Sequence, residues 1–231
     1  MALPLVAHAE QGVLAATVGT GEAGSGDPWD AVVGTPTITY DNVHAYHRMA
    51  YKVVAAASAQ QLVWTSTSVG TVGEMWGRFY LWSNAAPSAA TGLIRLTVSG
   101  AQAARLRYNA DGTLTLADAG NAAEITTVGA IPTGQWVRIE FHIQFVASNA
   151  TVEMKTFNNP DSNTATETLT TSTAAGMGVN CDRVEWGSFN SATWTGWMDN
   201  LQVNAVGFPG PAGPPPPPVP RWRRLRPLLV R

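Results

Sequence analysis

Residues 135–145 read QWVRIEFHIQF, and apolar residues alternate with polar ones along the whole stretch. The odd-numbered residues from Val137 to Phe145 are all apolar, and the even-numbered residues from Arg138 to Gln144 are all polar or charged. Successive side chains of an extended chain point to opposite faces, so this period of two predicts a long β-strand with one buried face.

The same signature recurs along the chain and is separated by turn signals. Alternation, or dense β-branched and aromatic content, predicts further strands at 44–54, 62–69, 75–82, 92–98, 105–109, 113–117, 151–157, 182–188 and 196–203, with a first short strand near residue 5. Asp111-Gly112 predicts a tight hairpin, because glycine permits the positive φ of such a turn. No segment shows a sustained helical period.

About a dozen strands without helices indicate an all-β fold. Two packed antiparallel sheets bury one face of each strand and limit exposed edges, so we predict a two-sheet jelly-roll sandwich with a Pro-rich, extended C-terminal tail. A closed barrel is the alternative.

The pattern changes after Val206, which divides the chain into three predicted parts. The sandwich is assigned to 1–206, a Gly/Pro-rich, collagen-like spacer to 207–220 and a basic tail to 221–231. Three Gly-x-y triplets and a proline run predict polyproline II structure in the spacer. Three triplets cannot hold a collagen helix alone, but heads that already associate would permit a homotrimer. Attachment to other subunits is assigned to Arg221, Trp222, Arg223, Arg224 and Arg226.

Composition excludes several protein classes. With 45% apolar residues and nine Trp, the chain can bury a large core. Five of the fourteen basic residues lie in the last eleven positions, so residues 1–220 carry a formal charge of −7 and nucleic-acid binding there is disfavoured. Cys181 is the only cysteine, which excludes an intrachain disulfide. No apolar run is long enough for membrane insertion, and the N-terminal sequence lacks a recognisable signal peptide.

Four stretches together suggest a family. LVAHAEQG (5–12), VGTGEAGSGDPWDAV (18–32), GQWVRIEFHI (134–143) and TGWMDNLQVNA (195–205) resemble the concanavalin A-like lectin and glucanase superfamily, and more narrowly its laminin G-like jelly rolls. The collagen-like extension, together with twelve arginines against two lysines, resembles phage or prophage tail and virion proteins. The resemblance implies a glycan or cell-surface polysaccharide as partner, and a location on a virion or extracellular assembly.

Exposed aromatic residues are the strongest functional signal. Sugar rings stack on such faces, and the candidate carbohydrate-binding residues are Trp29, Trp76, Trp82, Trp194 and Trp197, with Trp29 expected to be the most exposed. The alternative is that these rings belong to the core. Trp76, Tyr80 and Trp82 occupy alternate positions and therefore one face.

Polar residues suggest only a minor metal hypothesis. No cofactor is expected, but Ca²⁺ takes oxygen ligands from loops, and Asp27, Asp30 and Asp199 are candidates. For Asp199 we favour a structural role, in which a hydrogen bond holds the two termini together. His44 and His47 are three residues apart, which in the strand predicted there places them on opposite faces and argues against a shared metal.

Catalysis is not expected, because the E-x-D-x-x-E motif of the glucanases is absent. Glu140 is interpreted as a solvated or cross-strand-paired charge. We therefore predict a non-catalytic carbohydrate-binding or adhesion module. The alternatives are a structural or decorating virion protein without a ligand, and a polysaccharide-degrading enzyme whose carboxylates converge from distant strands in a groove.

Overall fold

The computed structural model of the protein describes residues 3–10, 12–21, 25–34, 38–55, 59–189 and 192–213. These residues form two antiparallel sheets. In chain order the strands are β1 (Leu5–His8), β2 (Ser25–Gly26), β3 (Ala31–Val33), β4 (Thr39–Asp41), β5 (Ala50–Ala55), β6 (Gln60–Trp64), β7 (Glu74–Ser83), β8 (Thr91–Val98), β9 (Ala101–Tyr108), β10 (Leu114–Ala117), β11 (Ala123–Thr126), β12 (Trp136–Gln144), β13 (Ala150–Phe157), β14 (Glu167–Ala174), β15 (Arg183–Ser188) and β16 (Trp194–Asn204). One helical turn, α1 (Ser66–Val69), follows β6.

The two sheets confirm the predicted sandwich. Sheet A has the order β14-β13-β12-β7-β16-β1-β2, and β5 also pairs with β16 and carries β4 on its far side. Sheet B has the order β11-β10-β9-β8-β15-β6-β3. The inward faces of both sheets supply one apolar core, in which Phe79 and Phe141 of sheet A contact Trp186 of sheet B. Gly77 makes room there, because a Cβ at this position would lie 2.1 Å from the Phe141 ring.

Local signals predicted several elements correctly. The alternating stretch forms β12, and Asp111-Gly112 lies in the turn between β9 and β10, where Gly112 has a φ of 85°. The predicted strand at 44–54 begins only at Ala50, because the residues before it form a loop over sheet A. The predicted strand at 62–69 ends at Trp64, since the Thr65 hydroxyl accepts a hydrogen bond from the Thr67 N–H and begins α1.

Strand β12 differs from the prediction of a single buried face. Its inward residues are buried, but so are Arg138 and Glu140 on the outer face, at 1% and 2% exposure. The expectation of a solvated Glu140 is therefore wrong, and its ion-pair partner lies on the same strand rather than across the sheet: Glu140 Oε1 lies 3.2 Å from Arg138 Nε. Other chain segments must cover this outer face, and they define the surroundings of the candidate site.

No helix that the structure describes has the length and apolar character needed to cross a membrane.

Candidate functional site

Three tryptophans form a row across the outer face of sheet A. Trp136 on β12 is directly opposite Trp82 on β7, and Trp82 is directly opposite Trp197 on β16. The rings of Trp82 and Trp136 lie 6.0 Å apart at 66°, and both are half-buried. We call Trp82, Trp136 and Trp197 the aromatic row. It places two partly exposed rings side by side on a rigid sheet.

The loop before β5 packs on this row. His44 stacks on Trp82 at 4.5 Å and meets Trp197 edge-on at 4.4 Å, and Tyr46 lies edge-on to Trp136 at 5.7 Å. Trp197 is consequently only 4% exposed. Trp82 and Trp136 keep open surface, so the loop frames two of the three rings and closes off the third.

One amide group borders the ring of Trp82, and a second one lies next to Trp136 in the sequence. Asn84 Oδ1 accepts a hydrogen bond from Trp82 Nε1 at 3.1 Å, and Gln135 Nε2 donates to the carbonyl of Asn158 at 3.0 Å. Ring faces with neighbouring amides match the requirements of a saccharide, whose rings stack while its hydroxyls form hydrogen bonds.

The five tryptophans proposed from the sequence lie in different places and differ in exposure. Trp29 was expected to be the most exposed, and this is wrong: it is 1% exposed, because its ring stacks on Trp64 at 4.5 Å inside the sandwich. Trp194 faces inward, is 4% exposed and donates from Nε1 to Ser83 Oγ at 2.9 Å. Trp76 lies toward the other end of β7, half-buried and stacked on His142 at 4.3 Å. Only Trp82 combines open surface with a place in the aromatic row.

Sequence reasoning missed Trp136 and the loop residues that frame it. Trp136 lies in the stretch that predicted the central strand, but its neighbour Trp82 is far away in the chain. Only the register between β7 and β12 brings the two rings together.

The three predicted metal ligands also lie in different places. Asp27 accepts a hydrogen bond from the Val6 N–H at 2.9 Å, and Asp30 accepts from the Thr65 N–H at 2.6 Å and the Ser68 hydroxyl at 2.9 Å. Both carboxylates hold loops in place, at positions apart from Asp199. Asp199 instead lies with two residues that the metal hypothesis did not include.

Glu10, His47 and Asp199 offer ligand atoms within 4.8 Å of one another. Asp199 is fully buried, and neither its Oδ2 nor Glu10 Oε2 has a hydrogen-bond partner among the described residues. Burial raises the pKa of Asp199 to about 8, and the charge of Glu10 adds to the rise. Two carboxylates and an imidazole suit Zn²⁺ or Mn²⁺ better than Ca²⁺, which prefers oxygen ligands throughout.

Residues 207–213 lie across the outer face of sheet A, and we call them the strap. The Phe208 ring lies 3.7 Å from the Lys155 ammonium and meets His142 edge-on at 6.4 Å. The Gly210 carbonyl accepts from Arg78 Nη1 at 2.8 Å, while its N–H donates to the Glu140 carboxylate. The strap therefore covers charged groups that the sequence pattern assigned to solvent.

One more strap contact reaches the middle of the sheet, where the Ala212 N–H donates to the Tyr80 hydroxyl at 2.7 Å. The strap is the first half of the predicted spacer, and the prediction of polyproline II structure is wrong at Gly207 and Gly210, whose φ angles are 104° and 70°. The rest of that spacer, at 214–220, lies outside the described residues. So do the predicted attachment residues Arg221, Trp222, Arg223, Arg224 and Arg226.

Comparisons with known proteins bear on the fold. No protein-family model and no curated protein sequence matches the chain. The binding domain of botulinum neurotoxin serotype D is 8% identical, with a TM-score of 0.51 over 86% of this chain and 49% of that one. A structure of botulinum neurotoxin type C, whose cell entry depends on interaction with two ganglioside molecules, is 11% identical, with a TM-score of 0.53 over 85% and 48%.

A sialidase is 7% identical, with a TM-score of 0.50 over 76% of this chain and 17% of that one. The chain spans about half the length of the neurotoxin structures and less of the sialidase. At such low identity the similarity concerns the fold. The chain is a two-sheet antiparallel β-sandwich.

Proposed function

We propose that the protein is a non-catalytic carbohydrate-binding module and that Trp82 and Trp136 form its sugar platform. The observation that carries the proposal is the pair of half-buried rings, 6.0 Å apart, on the outer face of sheet A. The type C neurotoxin structure, which shares the fold, belongs to a protein that interacts with gangliosides. That neighbour is consistent with a glycan ligand.

Binding at this site would combine stacking with a few polar contacts. A pyranose ring on the exposed side of Trp82 would lie near the Asn84 amide, which accepts a hydrogen bond from Trp82 Nε1. A shallow platform of two rings binds one sugar weakly, so several copies would be needed for useful avidity. We therefore propose display on a virion or extracellular assembly. The C-terminal tail would attach the module to other subunits, with a homotrimer as one arrangement.

An enzyme is the second candidate, because Asp182 and Glu185 line one groove of about 400 Å³. Two carboxylates in a groove are what glycoside hydrolysis requires. Glu185, however, is engaged at both oxygens, by Arg95 Nε at 2.5 Å and Arg183 Nε at 2.6 Å. Both oxygens of Glu185 are therefore occupied, so this carboxylate is not placed to act as the general acid that protonates a leaving group. Asp182 accepts a hydrogen bond from the Ser99 N–H at 3.0 Å. We propose that this groove binds rather than cleaves.

A glycan array probed with the full chain tests the proposal. We expect the wild type to bind a subset of neutral glycans and Trp82→Ala and Trp136→Ala to lose at least about tenfold in affinity, since stacking contributes on the order of 1–2 kcal/mol. Trp76→Ala is the matched control, because Trp76 lies on the same face outside the aromatic row. Silence of the wild type would favour the ligand-free structural role. Release of reducing sugar that Glu185→Gln abolishes would establish the enzyme.

A further inference from the structure

Four arginines project from three adjacent strands on the outer face of sheet B. Arg183 lies on β15, Arg95 on β8, and Arg105 and Arg107 on β9. The register places Arg95 directly opposite Arg105, and Arg105 and Arg107 share a face because they are two residues apart. We call these four residues the arginine face.

The charges on this face do not balance. Glu185 is shared by Arg95 and Arg183. Arg105 and Arg107 form no ion pair with any carboxylate that the structure describes, and the buried Nε of each has no hydrogen-bond partner there. The face thus carries an excess of positive charge, although residues 1–220 have a formal charge of −7.

The arrangement is electrostatically unfavourable without an anion. Like charges directly opposite each other on two strands repel, as Arg95 and Arg105 do. Burial lowers the pKa of Arg105, and the charges of Arg107 and Arg95 lower it further. A bound anion would relieve the repulsion and supply the acceptors that the two guanidinium groups lack.

Packing holds Arg105 in place. Its guanidinium lies over Gly92, where a Cβ would come within 2.3 Å of Arg105 Nε. The Phe189 ring lies 5.7 Å from this guanidinium and 5.0 Å from that of Arg95. Arg105 is therefore preorganised between a glycine floor and an aromatic ring, which reduces the entropy lost on binding.

A polar groove continues from the arginine face. Arg95 and Arg183 form part of its wall together with Glu185, the carboxylate that they share. Asp182, which accepts from the Ser99 N–H, also lines the groove, and the rest of the wall consists of Thr65, Ser66, Thr97, Ser99 and Gly100. Its volume of about 400 Å³ suits one or two sugar units, and hydroxyl-rich walls suit their hydroxyl groups. The site would then combine two unpaired guanidinium groups with a saccharide-sized groove.

We propose that the arginine face binds a polysaccharide that carries carboxylates, with the carboxylates held by Arg105 and Arg107 and the neighbouring sugar in the groove. This site is separate from the aromatic row and does not depend on it. Sulfate and phosphate esters offer the same negative oxygens, so the test distinguishes them. Nucleic acid is disfavoured because this face has only two arginines without a carboxylate partner among the described residues, and residues 1–220 carry a net negative charge.

Calorimetric titration of the full chain with oligogalacturonate tests the proposal, with a neutral oligoglucan, dextran sulfate and single-stranded DNA as comparison ligands. We expect oligogalacturonate to bind with an affinity that falls as NaCl rises, because ion contacts are screened. Arg105→Gln combined with Arg107→Gln should lose at least about tenfold, as expected for two charge-assisted contacts. Arg48→Gln, at an exposed arginine outside this face, should leave binding unchanged.

Three outcomes of this titration would overturn the proposal. These are no binding of oligogalacturonate, binding that the double variant leaves intact while its melting curve shows a folded protein, and equal or tighter binding of dextran sulfate or DNA. Trp82→Ala separates this site from the aromatic row, because it should leave oligogalacturonate binding intact even where neutral-glycan binding is lost. Loss of both ligands in Trp82→Ala would show one shared site and would also overturn the proposal.

Discussion

The outer faces of the two sheets use arginine in opposite ways. On sheet A, Arg138 is 1% exposed, with its guanidinium donating to the carbonyls of Pro160 and Ser162 and pairing with Glu140. On sheet B, Arg105 is half-buried and has no carboxylate partner among the described residues. Both arginines project from a strand of an antiparallel sheet, and the two faces differ in the chain segments that pack on them. Carbonyls of a loop and of the strap accept hydrogen bonds from the arginines of sheet A, although Arg138 Nε itself has no hydrogen-bond partner among the described residues. No chain segment supplies such carbonyls to Arg105 Nε or Arg107 Nε within the described residues, and we propose a ligand in that place.

Replacing Arg138 and Arg105 by the same apolar residue tests the difference between the two faces. Arg138→Met leaves Glu140 buried without its nearest cation and strips two carbonyls of their donor. We expect a loss of about 3–5 kcal/mol in the free energy of unfolding, measured by urea denaturation. Arg105→Met removes a repelled charge and should leave that free energy unchanged or raise it. A similar loss in both variants would contradict the distinction between the two faces.

A metal ion bound by Glu10, His47 and Asp199 would stabilise the folded protein. Zn²⁺ or Mn²⁺ at Glu10, His47 and Asp199 should raise the thermal midpoint, by an amount equivalent to about 2.7 kcal/mol when the ion is at a hundred times its dissociation constant. Ca²⁺ should have a smaller effect. Asp199→Asn should lose the response in a melting assay with added ion and chelator. The hypothesis fails if none of the three ions moves the wild-type midpoint.

The strap predicts a smaller effect at the same face. Phe208→Ala removes the ring that lies against Lys155 and His142, and we expect about 1 kcal/mol of destabilisation in urea. Val206→Ala is the control, because Val206 is 86% exposed and contributes little contact. Equal effects of the two substitutions would mean that the strap does not stabilise sheet A.

Gly92→Ala should have the smallest effect on stability. The new Cβ displaces the end of a flexible side chain, Arg105, so the free energy of unfolding should change by less than about 0.5 kcal/mol. The affinity for oligogalacturonate should nevertheless fall, since the guanidinium loses its position. Unchanged affinity would show that the placement of Arg105 over Gly92 does not matter for binding.

Local patterns predicted the strands better than they predicted the sites. Alternation at 137–145 and the Asp111-Gly112 turn are properties of neighbouring residues, and the structure contains β12 and the β9–β10 hairpin as expected. Strand β14 was missed, because its Thr-rich sequence at an edge has little apolar alternation. Period two reports which face a residue occupies, and both faces of β12 proved to be buried.

The candidate sites depend on contacts between distant residues. Trp29 looked exposed because it lies among glycine and aspartate, yet it stacks on Trp64 from another part of the chain. Glu140 looked solvated because its cover, the strap, begins only at residue 207. His47 was considered as a metal ligand only together with His44, whereas the residues that lie near it, Glu10 and Asp199, come from other parts of the chain.

The position of β16 has a consequence for how the protein is made. It is the final strand of the described chain, yet within sheet A it lies between β7 on one side and β5 and β1 on the other. Without it, the described strands of sheet A divide into three groups, β14-β13-β12-β7, β5-β4 and β1-β2, and no strand pairing joins one group to another. During synthesis, we expect these groups of strands to join into one sheet only after residue 204 has left the ribosome. Until then their apolar faces should remain exposed to solvent. Assembly should therefore be slow and late, as expected for a fold dominated by pairings distant in sequence, and chaperone dependence should be greatest in that interval.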